Sequence, residues 1–236
     1  MLNKNKIFCV IPARKGSKRL KNKNILKYNK KYLITYTINA ALKSKLFEEI
    51  IVSSDIPKLK SITLEYDEKK LKFIDRPKNL AGDKSTVSDV VKDLLKKFKH
   101  LNKYKFLCVL YPTSALRDEK DIKKTYKKML LLKANYCLAV SSYNFFPHKA
   151  LVLKGKNFLV PMFKKIYLKK SNDFTNKIFV DNGSTYFTKL SEFKKNYRFY
   201  GKKQTFYFMP QQKSVDLDTP EDFVLLKKKL MVQGIK

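Results

Sequence analysis

The sequence predicts an α/β protein built on a mostly parallel, doubly wound sheet. Short continuous apolar runs, typical of strands buried on both faces, alternate along the chain with segments whose apolar side chains recur at helical spacing. The 236 residues are 44% hydrophobic, which is enough for one core of ordinary domain size. No Pro-, Gly- or Ser-rich linker and no internal repeat divides the chain, so we expect residues 1–236 to form a single domain.

Seven strands are predicted from the apolar runs. They lie at 7–11, 49–53, 72–74, 106–110, 136–141, 183–188 and 205–209. Helical spacing predicts helices at 32–46, from about 57, at 88–98, at 118–132 and after 219. We expect Ser88 to cap the third helix and Thr219 to cap the last one, with Pro220 in its first turn.

Residues 143–180 interrupt this alternation. They contain Pro147 and Pro161 among short, scattered apolar pieces. We expect hairpins or loops here, forming an excursion from the sheet that is placed to make substrate or dimer contacts.

The chain is strongly basic, with 53 Lys and Arg residues against 20 Asp and Glu and a formal net charge of +33. Such a charge is compatible with nucleic-acid binding. However, only five of the 53 basic residues are arginine, the residue that recognises phosphates and bases bidentately, and the lysines are spread along the whole chain. A solvated lysine surface is therefore favoured over a specific nucleic-acid site.

The sequence also bears on the compartment. No apolar run is long enough to span a bilayer, and residues 1–6 lack the apolar stretch of a signal peptide. The cysteines, Cys9, Cys108 and Cys137, lie in apolar runs and cannot all pair within one chain. We expect them to be buried and reduced, in a cytoplasmic protein without a membrane partner.

The loop after the first predicted strand has the composition of an anion site. Ligands of such sheets bind beyond the carboxyl ends of the strands, and here Gly16 lies among Arg14, Lys15, Lys18 and Arg19. The loop matches neither the dinucleotide pattern G-x-G-x-x-G nor the P-loop pattern G-x-x-x-x-G-K-[ST]. Composition alone supports a phosphate-binding loop and a surface loop of solvated lysines about equally.

Two further segments contain candidate ligands. Asp216 and Asp218 are two residues apart, so in an extended segment both carboxylates would face one side and could share one Mg²⁺. The alternative, a pair of aspartates in the turn before a helix, is the commoner arrangement. Asn182-Gly183 predicts a tight turn, most simply that of a hairpin.

Five segments taken in order resemble the acylneuraminate cytidylyltransferases, which are CMP-sialic acid synthetases. They are IPAR-x-GSKRL-x-x-KN at 11–24, RP…LA-x-D at 76–83, PTS-x-LR at 112–117, NG-x-x-Y at 182–186 and DLDTPEDF at 216–223. The resemblance covers nearly the whole chain, and the ordered set is much more specific than any single motif.

The resemblance implies a Rossmann-like fold and an enzyme, usually a homodimer, that joins CMP from CTP to a nonulosonic acid with Mg²⁺ and releases pyrophosphate. By motif, the CTP phosphates would be held by Arg14, Ser17, Lys18 and Lys23, and the cytidine by Asn24, Arg76 and Ser85 or Thr86. The metal would be bound by Asp216 and Asp218, and the sugar would be contacted by Tyr111, Asn182 and Tyr186. The catalytic set would be Arg14, Lys18, Lys23, Asp216 and Asp218.

Such a reaction agrees with the composition of these segments. Phosphoryl transfer depends on positioning and charge neutralisation, which clustered cations and Mg²⁺ supply. The sequence identifies no general base, because His100 and His148 lie outside the motifs. A metal-bound hydroxide and a carboxylate of the Asp216/Asp218 pair are the alternatives.

Two departures from the resemblance concern the sugar. Tyr111 occupies a position where relatives that select N-acetylneuraminic acid typically have Gln, and KKSND at 169–173 replaces their usual R-R-Q segment. The transfer of CMP is therefore better supported than the sugar's identity, and pseudaminic, legionaminic or another nine-carbon acid is compatible. CMP-Kdo synthetases, which act on an eight-carbon acid, rank second because their first motif usually runs R-L-P-x-K-P. A non-catalytic nucleic-acid-binding protein ranks third.

Overall fold

A computed structural model describes residues 6–143, 145–170, 173 and 177–235. Its strands are β1 (Ile7–Ala13), β2 (Lys27–Tyr28), β3 (Lys31–Tyr32), β4 (Glu49–Ser54), β5 (Leu71–Asp75), β6 (Phe106–Leu110), β7 (Tyr136–Ser141), β8 (Leu151–Lys154), β9 (Phe158–Pro161), β10 (Val180–Lys189) and β11 (Gln204–Phe208). The α-helices are α1 (Leu33–Ser44), α2 (Pro57–Leu64), α3 (Val87–Lys97), α4 (Glu119–Leu131), α5 (Leu190–Asn196) and α6 (Pro220–Val232). The seven predicted strands are all present, whereas α5 and the short β2–β3 pair were not predicted.

The centre of the described chain is a seven-stranded sheet in the order β11-β7-β10-β6-β1-β4-β5. Its strands run in one direction except β10, which is antiparallel to both of its neighbours, β6 and β7. The prediction of a mostly parallel sheet is therefore confirmed. Parallel neighbours need long crossover connections, and the helices between the strands provide them.

Successive side chains of β1 face opposite sides of the sheet, and both sides are buried. Ile7, Cys9 and Ile11 pack in a cluster with α1, α2 and α4. Phe8 and Val10 pack in a second cluster with α3 and α5. This two-sided burial explains why β1 is apolar at every position, since helices cover both faces. It also confirms the doubly wound architecture.

The helix N-termini show how local sequence selects their boundaries. Thr219 caps α6 and Pro220 occupies its first turn, as predicted. The prediction for α3 was wrong by two residues, because the cap is Thr86 and not Ser88. Thr86 accepts a hydrogen bond from the Asp89 N–H, and the Asp89 carboxylate accepts one from the Thr86 N–H. The reciprocal pair satisfies two backbone donors, which a cap at Ser88 would leave without these partners.

The Asn-Gly pair is not a hairpin turn. Gly183 has φ +61° and lies within β10, where the register against β7 shifts between Asp181 and Tyr186. The left-handed backbone that glycine permits therefore forms a bulge in a continuous strand. This corrects the hairpin prediction and places Asn182 at the bend.

The excursion at 143–180 contains a short 3₁₀ turn, Pro147–Lys149, followed by the β8–β9 hairpin. The hairpin is exposed on both faces, and Leu153, Phe158 and Leu159 are each more than half exposed. Of the segment 169–173, Ser171 and Asn172 lie outside the described residues.

Among the described residues, we find no helix that combines the length and apolarity required to cross a membrane.

Candidate active site

The predicted site residues lie where the parallel strands end. Because β1, β4, β5 and β6 run in the same direction, their carboxyl ends lie along one edge of the sheet. Arg14, Asp55, Arg76 and Tyr111 directly follow these strands. β10 begins at the same edge, where the Tyr111 N–H donates to the Ser184 carbonyl at 3.1 Å. Five segments that are distant in sequence therefore meet here.

The loop after β1 is folded as a tight turn. The Ser17 N–H donates to the Lys15 carbonyl at 2.8 Å, which closes a three-residue turn centred on Gly16. The Lys15 N–H donates to the Asp55 carboxylate at 2.8 Å, which ties the loop to the end of β4. The loop is thus a tight turn at Gly16 that is attached to the sheet edge.

Arg14 and Lys18, two of the predicted phosphate-binding cations, share one carboxylate. Nη1 of Arg14 lies 2.8 Å from Oδ1 of Asp83, and Nζ of Lys18 lies 2.5 Å from Oδ2. The hydrogen bonds from Lys18 and Arg14 lower the pKa of Asp83. The structure therefore brings these two cations together at one carboxylate.

A second group of ion pairs connects the same loop to the aspartate segment 216–218. Nζ of Lys23 lies 3.1 Å from Oδ1 of Asp218, and Arg19 pairs with the other oxygen of that carboxylate. Leu217 is buried between Asp216 and Asp218. Burial, followed by the negative charge of Asp218, raises the pKa of Asp216. The predicted metal residues and Lys23 therefore occupy one site.

Two of the residues predicted around the cytidine are buried behind the loop. Asn24 donates from Nδ2 to the Arg14 carbonyl at 2.8 Å. Arg76 donates from Nη2 to the Ser53 carbonyl at 2.9 Å, and its buried Nε has no hydrogen-bond partner among the described residues. Burial lowers the pKa of Arg76; the charge of Asp55 opposes this and that of Arg14 adds to it. Both side chains thus form the wall of the site beside Arg14.

Ser85 and Thr86, the remaining residues predicted near the base, are engaged in local structure. Ser85 donates from Oγ to the Asn79 carbonyl at 3.0 Å, and Thr86 caps α3. These hydroxyls stabilise the segment that leads into the helix. Their direct contact with a bound base stays a prediction.

The two tyrosines predicted near the sugar contact each other. The rings of Tyr111 and Tyr186 are 5.6 Å apart in an edge-to-face arrangement, and Tyr186 donates its hydroxyl to Asp181 at 2.7 Å. Burial raises the pKa of both tyrosines, and the charges of Asp181 and Asp216 raise it further. Asp216 therefore acts electrostatically on the tyrosine pair.

Two clefts open beside these residues. A cleft of about 450 Å³ between α3, β6 and β10 is lined by Thr86, Tyr111 and Tyr186. A larger cleft of about 730 Å³ lies between the ends of β7 and β10 and helix α6, and it is lined by Asn182 and Asp216. The structure thus divides the predicted sugar residues, with the tyrosines in one cleft and Asn182 in the other.

Asn182 is buried at the bulge of β10. Its Oδ1 accepts a hydrogen bond from Oγ of Ser184 at 2.8 Å, whereas its Nδ2 has no partner in the described part of the chain. Buried polar groups are normally paired, so this amide donor is an exception at the bend of β10.

Arg117 organises this edge of the sheet, although the sequence assigned it no role. Its side chain is buried. Nη1 donates to the Ser184 carbonyl at 2.7 Å, and Nη2 donates to Oγ1 of Thr37 at 2.8 Å. It therefore joins the bulge of β10 to α1, beneath Tyr111. The sequence feature that could have identified Arg117 is its place in the PTS-x-LR motif.

Three aspartates at this edge of the sheet were also missed. Asp83 pairs with two cations, Asp55 accepts from the loop after β1, and Asp181 accepts from Tyr186. Asp55 could have been found by its position immediately after a strand that ends at the ligand edge. Asp83 and Asp181 lie in or beside matched motifs, but nothing in those motifs shows which cation or hydroxyl each one contacts.

His100 lies at the opposite edge of the sheet. Its Nε2 is 3.0 Å from Glu49, the first residue of β4. Burial acts to raise the pKa of Glu49, but hydrogen bonds from Lys72, His100 and Tyr104 outweigh it and lower the pKa. This location excludes His100 as a general base at the candidate site. His148 is buried in the excursion.

The fold and the site together define a nucleotidyltransferase. A doubly wound sheet presents clustered cations next to two carboxylates, an arrangement that could bind phosphates and a divalent metal, as nucleotidyl transfer requires. Comparison with known families agrees, because the sequence model of the cytidylyltransferase family matches residues 8–232. The chain belongs to the cytidylyltransferase family.

Individual relatives extend this result. Pseudaminic acid cytidylyltransferase of Campylobacter jejuni is 30% identical over 94% of this chain and 95% of its own length. CMP-N,N'-diacetyllegionaminic acid synthase of Legionella pneumophila is 31% identical over 94% of this chain and 95% of its own. Among solved structures, CMP:2-keto-3-deoxy-manno-octonic acid synthetase complexed with CTP superposes with a TM-score of 0.67 over 97% of this chain and 99% of that chain. At 15% identity, this last likeness shows a shared fold alone.

Proposed function

We propose that the protein transfers CMP from CTP to a nonulosonic acid and releases pyrophosphate. The observation that supports this most directly is the 3.1 Å ion pair between Lys23 and Asp218, which joins the cationic loop to the aspartate segment across almost the whole sequence. Phosphate-binding cations and metal-binding carboxylates are thereby adjacent. The substrates named for the Campylobacter and Legionella relatives are nonulosonic acids, which supports the choice of acceptor.

The loop after β1 would bind the triphosphate. Arg14, Lys18 and Lys23 offer positive charge on one loop, and Ser17 adds a hydroxyl beside the turn at Gly16. CTP has about four negative charges, so several fixed cations are needed to bind it and to stabilise the charge that develops on pyrophosphate. Asn24 and Arg76 would border the cytidine from behind the loop.

Asp216 and Asp218 fit a magnesium ion. The two carboxylates flank a buried leucine, and the charge of Asp218 helps to raise the pKa of Asp216, as expected for like charges that are close together. Two carboxylate ligands, with the remaining positions taken by phosphate oxygens and water, are typical for Mg²⁺. When bound, the ion would neutralise charge on the transferring phosphates.

In the reaction, the anomeric hydroxyl oxygen of the sugar acid forms a bond to the α-phosphorus of CTP. The bond between that phosphorus and the bridging oxygen to the β-phosphorus breaks, and pyrophosphate leaves with the electron pair. The hydroxyl proton passes to a carboxylate of the site or to water. Arg14, Lys18 and Lys23 stabilise the charge on the leaving group, while the walls of the site hold the two reactants in line.

The tyrosine-lined cleft is our proposed sugar site. Tyr111 and Tyr186 offer apolar ring surface to a ligand in this cleft. The lining also includes Lys92 and Arg198, whose positive charges would attract the acid's carboxylate. Asn182 lines the other cleft, so its contact with the sugar stays a prediction from the sequence.

We further propose a cytoplasmic homodimer. The β8–β9 hairpin exposes apolar side chains on both faces, and an isolated two-stranded hairpin is marginally stable in water. Packing against a second copy would bury this surface.

All three cysteines are unpaired and buried, which supports a reducing compartment.

The activity is tested by incubating the protein with CTP, Mg²⁺ and a panel of acids while pyrophosphate is measured. The panel contains pseudaminic, N,N'-diacetyllegionaminic and N-acetylneuraminic acids, together with Kdo. Release that requires a nonulosonic acid is expected. Release with Kdo alone would favour the eight-carbon alternative, and no release with any acid would refute the proposal. UTP in place of CTP is the control for base selection.

The metal assignment is tested with Asp218→Asn. We expect turnover to fall by about two orders of magnitude or more, since the charge that holds the ion is lost. Asp93→Asn, which removes a partly buried carboxylate paired with Lys97 on α3, is the charge-matched control and should retain full turnover. Ordinary Mg²⁺ dependence in Asp218→Asn would show that the assignment is wrong.

The dimer is tested by sedimentation velocity on the full chain. Serine at both Phe158 and Leu159 should yield monomers, because these exposed side chains of β9 would lie at the interface. Leu131→Ser changes a similarly exposed apolar residue at the end of α4 and should leave the dimer intact. A wild-type protein that sediments as a monomer at all concentrations would refute the proposal.

A further inference from the structure

Asp83 pairs with Arg14 and Lys18, the two cations that would bind the triphosphate in the proposed function. Its Oδ1 accepts from Arg14 at 2.8 Å and its Oδ2 pairs with Lys18 at 2.5 Å, so each oxygen of one carboxylate holds one cation. Two oxygens on one acidic group, each facing a cation, are also what a phosphate would present. The carboxylate thus has the same sign of charge as the ligand expected at this position and faces both cations with its two oxygens.

The ion pairs of Asp83 are short but exposed to solvent. The side chain of Asp83 is 45% exposed and that of Lys18 is 81% exposed. A Cβ at Gly16 would lie 3.7 Å from the carbonyl oxygen of Ala81, so the loop and the segment before Asp83 are in contact. Exposed ion pairs of this kind are weak and exchange readily with solution ions. A ligand of higher charge can therefore displace the carboxylate without rearranging the fold.

We infer that Asp83 is an internal counter-ion, which offsets part of the positive charge of Arg14 and Lys18 in the nucleotide-free enzyme and is displaced from them by the triphosphate. It is a positioning residue that keeps the two side chains directed to one point. It also competes with the nucleotide for them. The inference rests on the proposed function, because it requires that Arg14 and Lys18 bind phosphate.

Asp83 could compete with CTP for the two cations or only support the loop. The two roles predict opposite effects of Asp83→Asn on the affinity for CTP. If Asp83 competes, Asp83→Asn leaves two cations without a fixed partner, and CTP should bind about two- to tenfold more tightly. Binding should also become more salt-sensitive, because solution anions now gather at the two cations and are released by the ligand. If Asp83 only supports the loop, its removal should weaken binding and leave the salt dependence unchanged.

The experiment is calorimetric titration of CTP, and separately of inorganic tripolyphosphate, into the full-length protein over a series of salt concentrations. The variants are Asp83→Asn, the conservative Asp83→Glu, and Asp93→Asn as the charge-matched control. Tighter binding with a steeper salt dependence in Asp83→Asn alone is expected. Asp83→Glu should behave as wild type, and thermal unfolding verifies that each variant is folded.

The outcomes separate this inference from the proposed function. Weaker or unchanged binding in Asp83→Asn, or the same gain in Asp93→Asn, would overturn the inference while the enzyme still releases pyrophosphate. Wild-type protein that binds tripolyphosphate but not CTP would refute the proposed function, and the tripolyphosphate titrations would still decide the role of Asp83. Binding of neither ligand would overturn both.

Discussion

Replacing Arg117 by methionine tests how the ligand edge of the sheet is held together. Methionine has a similar apolar stem but none of the donors that Arg117 directs to Ser184 and Thr37 at 2.7 and 2.8 Å. Hydrogen bonds from a charged group contribute roughly 1.5–3 kcal/mol each, so the two short bonds represent about 3–6 kcal/mol. Their loss is the destabilising part of the change.

Removing the charge has an opposing effect. Burial lowers the pKa of Arg117 to about 10, well below the usual value for a guanidinium, which corresponds to a cost of roughly 3 kcal/mol for keeping this group charged in the folded protein. Methionine does not incur this cost. Subtracting this cost from about 3–6 kcal/mol of hydrogen bonding leaves about 0–3 kcal/mol, so we expect Arg117→Met to lower the free energy of unfolding by about 1–2 kcal/mol.

The lysine variant sharpens this test. Arg117→Lys keeps the buried charge but cannot reproduce the planar fork, so it retains the desolvation cost with fewer hydrogen bonds. It should therefore be less stable than the methionine variant. Urea denaturation followed by far-ultraviolet circular dichroism measures both. A methionine variant as stable as wild type would show that desolvation, and not hydrogen bonding, dominates at this site, and a lysine variant more stable than the methionine variant would contradict the reasoning about the fork.

Three further predictions concern stability and are measured in the same way. Thr86→Ala should cost about 1 kcal/mol because it removes the cap of α3, whereas Ser88→Ala should have almost no effect. Gly183→Ala should cost about 1–2 kcal/mol, because φ there is +61° although a Cβ would meet no atom within 4 Å; equal stability would mean that the bulge relaxes freely. The pKa of Glu49 is lowered in the folded protein, so its contribution to stability is present above the unfolded-state pKa and is lost as pH falls through the folded-state pKa. Glu49→Gln should therefore be less stable than wild type at neutral pH. A difference in stability that persists in acid would contradict this.

The sequence by itself determined the class of fold and the edge on which the site lies. Apolar runs such as that of β1 predict strands buried on both faces, because local spacing records which neighbours each side chain must contact. Gly16 among cations after the first strand, and the aspartates at 216–218, can be recognised in the sequence alone. These features are local, so a few neighbouring residues are sufficient to define them.

Local sequence patterns predicted details less reliably where two residues or two turn types fit the same pattern. Thr86 and Ser88 are both good caps, and the choice depends on which of them has Asp89 three residues ahead. Asn182-Gly183 fits a hairpin or a bulge equally well. Only the pairing of β10 with β7 and β6 decides between them, since the strand continues on both sides of Gly183.

Only the tertiary structure decided which charges meet. The chain has 53 basic residues, so the sequence could not indicate that Lys23 pairs with Asp218 or that Arg14 and Lys18 share Asp83. Those contacts exist because parallel strands place their following loops at one edge, and because Leu217 is buried against α6 beside that edge. Charge pairing depends on distance in space, and distance in space is set by the packing of the apolar core.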